Sequence, residues 1–296
     1  MKRQICLIMS CMSAILIGCS AFAKSEMTLK SAISSDKEKI KYQVTGNKKG
    51  STLVFIHGFP LSSQMWNSQI DFFKKEYHII AVDLRGAGYN KNVRFPFTME
   101  LLVDDLFAIL DNEKIENPII VGFSMGGFLS LRAIEREPSR FKAIVLSNTK
   151  SNADSNESKL KRNEAIKTLR TKGTGDYADV FLKSATSPNT SQEILKDIKN
   201  IITKETTPQS IAFSALALIS RTDTTESLAK IKVPTLIFVG DQDNVTKLSS
   251  AQELQKSIQG SQLKIITNSG HMSPIENSKV YNEELNLFLK TLNSSN

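Results

Sequence analysis

The chain has 296 residues and a formal net charge of +8 at pH 7, and its three cysteines all lie within the first 19 residues. A chain of this length can bury a core large enough to fold without disulfides. Its lysines and arginines are scattered among acidic residues, without a dense basic block or interleaved aromatic residues. This pattern argues against nucleic-acid binding and indicates a solvated surface on a globular domain.

The N-terminus has the layout of a secretory signal. Lys2 and Arg3 precede an apolar run over residues 5–17, which is too short to span a bilayer comfortably because a span takes about 20 residues. Small residues ending at Ala23 fit ordinary signal peptidase and give a signal peptide over residues 1–23. A Leu-Ile-Gly-Cys sequence ending at Cys19 resembles the bacterial lipobox, with cleavage before a lipidated cysteine. Both processing sites stay open, and either predicts an exported protein, periplasmic or membrane-anchored through Cys19.

Buried strands and amphipathic helices alternate along most of the remaining chain. The polar segment 24–38 is predicted to be a tether, and the body begins at Lys39. Strands are predicted at residues 40–44, 52–56, 78–83, 118–121, 141–147, 234–240 and 263–266. Helices are predicted after Ser62 or Ser63, after Thr98, after Gly127, near 249–258 and over 276–292. Such alternation is typical of an α/β fold, with a mostly parallel central sheet and helices on both faces.

The alternation breaks between residues 149 and 230. This stretch contains no convincing strand pattern, and its helical patterns cover residues 160–169, 177–182, 194–202 and 211–219. An all-helical insertion of this kind is interpreted as a lid over the carboxyl edge of the sheet, where ligands bind in open α/β folds. The predicted organisation is a core over residues 39–148 and 231–296, interrupted by a helical lid over 149–230.

The candidate nucleophile lies in the sequence Gly122-Phe123-Ser124-Met125-Gly126, between a predicted strand and a predicted helix. A Gly-x-Ser-x-Gly motif in that context is typical of a sharp turn that exposes the serine hydroxyl, with glycines where strand and helix pass closely. The same turn directs the N–H of Met125 toward an oxyanion formed at Ser124. The motif alone is weak, and its position between strand and helix is what singles out Ser124.

A serine nucleophile needs a base within hydrogen-bond reach, and the base needs an orienting acid. The chain has only three histidines. His271 follows the last predicted strand, at the sheet edge that should face Ser124, and is the predicted base. His78 opens a strand, where a structural or exposed role is expected, and the neighbours of His57 indicate a role at the backbone.

The acid is expected in the loop after the strand at 234–240. Two aspartates lie there, Asp241 and Asp243. Asp243 is preferred because it lies further into the loop and has more reach toward His271, while Asp241 touches the strand end and stays an alternative. The resulting chain order is Ser, Asp, His, which differs from the orders in chymotrypsin and subtilisin.

Five motifs in their joint spacing resemble the α/β-hydrolase superfamily over about residues 39–292. They are His57-Gly58-Phe59-Pro60, Asp83-Leu84-Arg85-Gly86-x-Gly88, Gly122-Phe123-Ser124-Met125-Gly126-Gly127, Gly240-x-x-Asp243 and Gly270-His271. Within the superfamily the chain is similar to the small esterase and lactonase branch, which includes carboxylesterases, enol-lactonases and methyl-ester esterases. Two departures, Ala87 where many relatives carry His and Asn90 where many carry Ser, weaken the assignment to a subgroup.

The resemblance implies an α/β-hydrolase fold with Ser124 as nucleophile, Asp243 as acid and His271 as base. It also implies that the Phe59 N–H is the second oxyanion donor beside Met125. The expected activity is hydrolysis of small carboxylic esters, lactones or thioesters through an acyl-enzyme, with a small-molecule ester as the partner. A cofactor-free perhydrolase or haloperoxidase-like activity on the same triad, and a non-catalytic surface lipoprotein on the same fold, are the alternatives.

Some apolar residues are candidates for the substrate pocket. Trp66 lies just past the predicted oxyanion loop, and Phe181 and Phe213 lie on predicted lid helices; each of the three could equally belong to a core. The sequence has no His-Glu-x-x-His motif and no phosphate-binding loop, and Gly86-x-Gly88 lacks the third glycine of a dinucleotide fingerprint. No metal or other cofactor is therefore expected.

Overall fold

The computed structural model describes residues 27–293. The predicted signal peptide, Cys19 and the first residues of the predicted tether lie outside the described residues. Within residues 27–293, no helix has both the length and the apolar character that crossing a membrane would require.

A mixed eight-stranded sheet forms the centre of the described part of the chain, in the order β1-β2-β4-β3-β5-β6-β7-β8. The strands are β1 (Thr28–Ile33), β2 (Lys39–Gly46), β3 (Thr52–Ile56), β4 (His78–Val82), β5 (Ile119–Phe123), β6 (Ala143–Ser147), β7 (Thr235–Gly240) and β8 (Gln262–Ile266). Only β1 with β2 and β2 with β4 pair antiparallel; the other neighbours are parallel. The predicted α/β class and mostly parallel sheet are confirmed.

The helices of the described residues cover the sheet. They are α1 (Asn67–Phe73), α2 (Met99–Asn112), α3 (Met125–Arg136), α4 (Asn156–Ala185), α5 (Gln192–Glu205), α6 (Pro208–Ile219), α7 (Leu248–Ser257), α8 (Ser273–Glu276) and α9 (Ser278–Asn293), with 3-10 turns at Ser63–Trp66, Gly88–Asn90, Pro138–Arg140 and Thr225–Lys230. Two of the predicted caps form: Ser62 accepts from Gln64 N–H, and Thr98 accepts from Leu101 N–H. The C-terminal helix predicted over 276–292 is found as α9, and a separate short helix, α8, ends at Glu276 just before it.

The central strands are continuously apolar because both faces of the sheet are covered. In β3, Leu53 and Phe55 belong to the core that α1 and α9 close, whereas Val54 and Ile56 belong to the core that α2 and α3 close. All four side chains are fully buried. Two cores on one parallel sheet explain why a run of unbroken hydrophobic residues, rather than an alternating one, marks these strands.

The prediction of a tether over residues 24–38 is wrong for residues 28–33. These residues form β1, which pairs with β2 from Thr28 opposite Val44 to Ile33 opposite Lys39. As an edge strand, β1 has one neighbour and is largely exposed, with only Ala32 fully buried. Its sequence therefore lacks the continuous apolar run by which the central strands were recognised.

Between β6 and β7 the chain forms α4, α5, α6 and a 3-10 turn, and no strand is found in that described stretch. The two helical patterns predicted at 160–169 and 177–182 lie on either side of a break in α4 at Gly173, where φ is 80° and ψ is −178° and the backbone is not helical. A φ in that region suits glycine because no side chain is strained there. The helical content agrees with the expected insertion, whose role as a lid stays a prediction.

Arg85 connects the loop after β4 to two other elements through ion pairs. Its guanidinium donates to both oxygens of Asp105 on α2 at 2.7 and 2.8 Å, and to both oxygens of Asp36 in the β1–β2 turn at 2.7 and 2.8 Å. Hydrogen bonding to Arg85 lowers the pKa of Asp36 from 3.8 to about 2. Arg85 is thus a structural residue of the loop.

We expect the stabilising effect of Asp36 to depend on pH. Because its pKa is lower in the folded chain than in the unfolded one, its contribution is fully present above pH 4 and disappears as the pH falls toward 2. Asp36→Asn should therefore lower the free energy of unfolding at pH 7, and the difference from the wild type should shrink below pH 4. Urea titrations between pH 2 and 7 measure this. Asp197→Asn, at an exposed aspartate of α5, is the matched control, and a difference for Asp36→Asn that does not change with pH would contradict the assignment.

Candidate active site

Ser124 occupies a tight turn between β5 and α3. Its φ of 50° and ψ of −109° are unusual for a residue with a side chain, and its N–H donates to the Ser147 carbonyl at 2.8 Å. A Cβ at Gly122 would lie 2.4 Å from the Ser130 Oγ, and one at Gly126 would lie 2.3 Å from the Ile56 carbonyl oxygen. The strand and helix therefore approach too closely for any other residue at the two glycine positions.

Three side chains that are far apart in the sequence form one hydrogen-bonded chain. The Ser124 Oγ lies 2.9 Å from the His271 Nε2, and the His271 Nδ1 lies 2.9 Å from the Asp243 Oδ2. Ser124 ends β5, Asp243 lies in the loop after β7, and His271 lies in the loop after β8. Because these strands are parallel, their carboxyl ends meet at one sheet edge, and the structure brings together the three residues that the sequence singled out.

Asp243 is held in place by four donors besides His271. Its Oδ1 accepts from the N–H groups of Val245 and Thr246, both at 2.8 Å. Its Oδ2 accepts from the Asn148 Nδ2 at 2.9 Å and from the Thr246 Oγ1 at 2.7 Å. Burial favours the neutral acid, but attraction to the His271 ring when that ring is protonated, and the hydrogen bonds from His271, Asn148 and Thr246, hold the pKa of Asp243 well below its usual range. The carboxylate is therefore ionised at neutral pH and accepts the His271 Nδ1–H, which leaves Nε2 free to accept from Ser124.

Asp241, the alternative acid, has a different position. Its Oδ2 and Oδ1 accept from the backbone N–H groups of Asn268 and Ser269, both at 3.0 Å. These residues belong to the loop that leads from β8 to His271. Asp241 therefore braces the histidine loop through its backbone, while Asp243 contacts the imidazole directly.

Two backbone N–H groups near Ser124 are available for a ligand. Within residues 27–293, no acceptor is recorded for the N–H of Phe59 or for that of Met125, the first residue of α3. An N–H at the first position of a helix has no partner within the helix and lies at the positive end of its dipole. The N–H groups expected to bind an oxyanion are thus unpaired in the described chain.

His57 supports the loop that carries Phe59. Its Nε2 accepts from the Leu84 N–H at 3.0 Å, so its Nδ1 carries the proton and donates to the Gly58 carbonyl at 2.9 Å. Burial lowers the pKa of His57, which favours the neutral ring that these two bonds require. The backbone role expected of His57 is therefore what the structure shows.

The expectation that Trp66 lines the substrate pocket is wrong. Trp66 is fully buried and packs against Phe55, Phe123 and Tyr281 in the core on the α1 and α9 face of the sheet. Closeness to Phe59 in sequence therefore does not give the indole an exposed position at the site.

We expect Trp66→Ala to lower the free energy of unfolding by about 3–5 kcal/mol, because it leaves a large cavity in a close-packed core. Phe72→Ala, at a half-exposed ring on α1, should cost much less and is the matched control. Urea denaturation of both variants measures the difference. Equal losses for the two substitutions would contradict the buried position of Trp66.

Aromatic residues of the helical insertion contact the loop that carries Phe59. Phe59 contacts Tyr177 edge to face, with ring centroids 6.5 Å apart, and Tyr177 stacks on Phe181 at 6.4 Å. Phe213 on α6 is partly buried against the opposite core. A small cavity beside Phe59 and Met125 is also lined by Ile211 of α6. Phe181 and Phe213 thus lie on helices that border the site, and their contact with substrate stays a prediction.

Sequence reasoning missed Asn148 and Thr246, both of which donate to Asp243. Asn148 follows β6 in a left-handed conformation with φ of 47°, and it also accepts from the Ser273 hydroxyl at 2.6 Å. No local pattern marks either residue, because each acts through contacts formed only in the folded chain. No group of three or more His, Cys, Asp or Glu side chains suited to a metal ion is found in the described part of the chain.

Comparison with known proteins agrees with this fold. A model of the alpha/beta hydrolase fold matches residues 51–278. The chain belongs to the alpha/beta hydrolase family. It is 30% identical to the AB hydrolase superfamily protein YisY of Bacillus subtilis, covering 75% of this chain and 85% of that protein. It is 26% identical to 3-oxoadipate enol-lactonase 1 of Acinetobacter baylyi, and the match covers 86% of this chain and 94% of that protein.

Solved alpha/beta hydrolase structures superpose closely on the chain. A thermophilic esterase from Thermogutta terrifontis, solved with malate bound, matches with a TM-score of 0.84 and 25% identity over 90% of this chain and 99% of that one. The family of relatives also includes a non-heme chloroperoxidase of Burkholderia pyrrocinia, which is 28% identical over 86% of this chain and 97% of that protein. The chain is therefore a hydrolase-family protein whose relatives include enol-lactonases, esterases and haloperoxidases.

Proposed function

We propose that the protein is a serine hydrolase that cleaves small carboxylic esters, lactones or thioesters through an acyl-enzyme. The observation that carries the proposal is the continuous hydrogen-bonded chain from the Ser124 Oγ through His271 to Asp243. A serine hydroxyl is a weak nucleophile by itself, and a neutral imidazole at hydrogen-bond distance supplies the base it needs.

In the first half of the proposed reaction, the Ser124 Oγ attacks the carbonyl carbon as its proton passes to the His271 Nε2. The Asp243 carboxylate stabilises the imidazolium that forms. The oxyanion accepts hydrogen bonds from the N–H groups of Phe59 and Met125, and loss of one such donor costs about 10²–10³ in turnover in a related mechanism. The imidazolium then protonates the leaving alkoxide as its bond to carbon breaks, which leaves an acyl group on Ser124.

In the second half, a water attacks the acyl carbon and gives its proton to the His271 Nε2. Collapse of the second oxyanion breaks the bond to Ser124, whose Oγ takes the proton back. A carboxylic acid leaves, and the enzyme returns to its starting state. All of these steps use groups of the chain and water alone.

Labelling with a fluorophosphonate tests the proposal. We expect stoichiometric modification of Ser124, located by peptide mass spectrometry, together with hydrolysis of p-nitrophenyl acetate. Absence of both would favour a non-catalytic binding protein on the same fold. A series of p-nitrophenyl esters of increasing acyl length then defines the preferred substrate.

A perhydrolase activity is the second candidate, because the relatives include two haloperoxidases and a bifunctional esterase/perhydrolase of Acinetobacter calcoaceticus. In that reaction hydrogen peroxide takes the place of water on the acyl-enzyme and releases a peracid. Monochlorodimedone halogenation in acetate buffer with bromide and peroxide, compared with ester hydrolysis by the same preparation, distinguishes the two activities.

We also propose that the protein is exported, on the basis of the charged, apolar and small-residue regions of its first 23 residues. Mass spectrometry of the mature N-terminus separates the two processing routes. A lipidated Cys19 at the N-terminus supports a membrane anchor, and a start at Lys24 supports release by ordinary signal peptidase. An unprocessed Met1 would contradict export.

A further inference from the structure

The carboxylate of Glu276, the last residue of α8, binds the two residues that flank His271. Its Oε1 accepts from the N–H of Gly270 and from the N–H of Met272, both at 3.0 Å. The peptide groups on both sides of the candidate base are thus fixed to one oxygen atom. Hydrogen bonds to an ionised carboxylate are stronger than those between neutral groups.

The other oxygen of the same carboxylate binds the corner between α4 and α5. The Glu276 Oε2 accepts from the Ser187 N–H at 2.7 Å and from the Thr190 Oγ1 at 2.6 Å. One side chain therefore joins the loop that carries His271 to the helical insertion between β6 and β7.

Further contacts place this corner directly against the histidine loop. The His271 N–H donates to the Ala185 carbonyl at 2.8 Å. The Ser187 Oγ donates to the Gln242 Oε1 at 2.8 Å, next to Asp243 in the acid loop. A Cβ at Gly270 would lie 2.6 Å from the Ser187 nitrogen. The corner and both loops of the site form one packed unit, and Glu276 joins the corner to the histidine loop.

We propose that Glu276 is a positioning residue, whose carboxylate couples the α4–α5 corner to the orientation of the His271 ring. The inference rests on the proposed function, since it gives His271 the role of base. A small shift of the backbone at residues 270–272 would move the Nε2 away from the Ser124 Oγ, and misplacement of a reacting group by about 1 Å can cost roughly 100-fold in rate. Glu276 touches neither substrate nor the reacting atoms, so it acts through the loop.

Glu276→Gln tests this role with little change in shape. An amide has one acceptor oxygen, so its NH₂ group must face one of the two donor pairs. We expect kcat for p-nitrophenyl acetate to fall roughly 10- to 100-fold, with KM within about twofold of the wild type. Glu283→Gln, at an exposed glutamate of α9, makes the same chemical change and should leave both constants unaltered.

A second measurement does not depend on turnover. The His271 Nδ1–H shared with Asp243 should give a low-field proton resonance in the wild type, and Glu276→Gln should broaden or shift it. If the wild type lacks esterase activity, the proposed function fails while this resonance still reports on Glu276. An unchanged kcat with an unchanged resonance would overturn the inference, even if the variant melts at a lower temperature.

Thr190→Val tests the same coupling if the Glu276→Gln variant does not fold. It removes one donor from the Oε2 and leaves the carboxylate and the histidine loop in place. We expect a smaller loss of kcat, about two- to fivefold, and a measurable shift of the same resonance. A variant that matches the wild type in both would overturn the coupling between the corner and His271.

Discussion

Ser124→Ala is expected to abolish ester hydrolysis, with kcat lower by roughly 10⁴- to 10⁶-fold, while the protein stays folded. The substitution removes the Oγ that lies 2.9 Å from the His271 Nε2, so no acyl-enzyme can form. The turn itself is held by the Ser124 N–H and by the close approach of β5 and α3, neither of which needs the hydroxyl. Release of p-nitrophenol and fluorophosphonate labelling measure the loss, and thermal unfolding reports on the fold.

Ser139→Ala is the matched control for that experiment, since it removes an exposed serine hydroxyl that lies beyond the C-terminal end of α3, whereas Ser124 precedes the N-terminal end of the same helix. It should retain full turnover and labelling. If Ser124→Ala hydrolysed esters as fast as Ser139→Ala, another nucleophile would be responsible and the proposed mechanism would have to be abandoned.

The parts of the fold that the sequence revealed are those whose local pattern reflects burial. β3, β4, β5 and β7 are covered on both faces, so each contains a short apolar run of the kind expected for a buried strand. β1 was missed because it is an edge strand whose residues, from Thr28 to Ile33, are mostly exposed. An edge strand is stabilised mainly by backbone pairing with its neighbour, and that pairing leaves little trace in side-chain composition.

The residues of the candidate site also fall into those that the sequence predicts and those that it does not. Ser124 directly follows β5, and His271 lies in the loop after β8. Because these strands are parallel, both residues lie at the same edge of the sheet. Asn148 and Thr246 could not be found, because their contacts with Asp243 depend on loop conformations that the sequence does not encode locally. Trp66 was misplaced for a related reason: its burial depends on contacts with Phe55, Phe123 and Tyr281 that form only in the folded chain.

The second large effect is expected from substitution of Asp243, the aspartate that contacts His271. Asp243→Asn should lower kcat/KM by about 10³- to 10⁴-fold. The Oδ1 of Asp243 accepts two backbone N–H groups, from Val245 and Thr246, so the amide oxygen of an asparagine must take that place. Its NH₂ group would then face the His271 Nδ1. That arrangement favours the tautomer with the proton on Nε2, which cannot accept the proton of Ser124.

Asp241→Asn is the control that the chain itself provides, two residues away in the same loop. Asp241 is exposed and accepts only backbone N–H groups, from Asn268 and Ser269, so an asparagine keeps one of the two bonds and leaves the imidazole untouched. We expect kcat/KM within about threefold of the wild type and a stability loss near 1 kcal/mol. Steady-state kinetics and fluorophosphonate labelling rates on both variants decide the matter. A large loss for Asp241→Asn with a small one for Asp243→Asn would transfer the role of acid to Asp241, because loss of the acid should disturb the tautomer of His271 and with it the reactivity of Ser124.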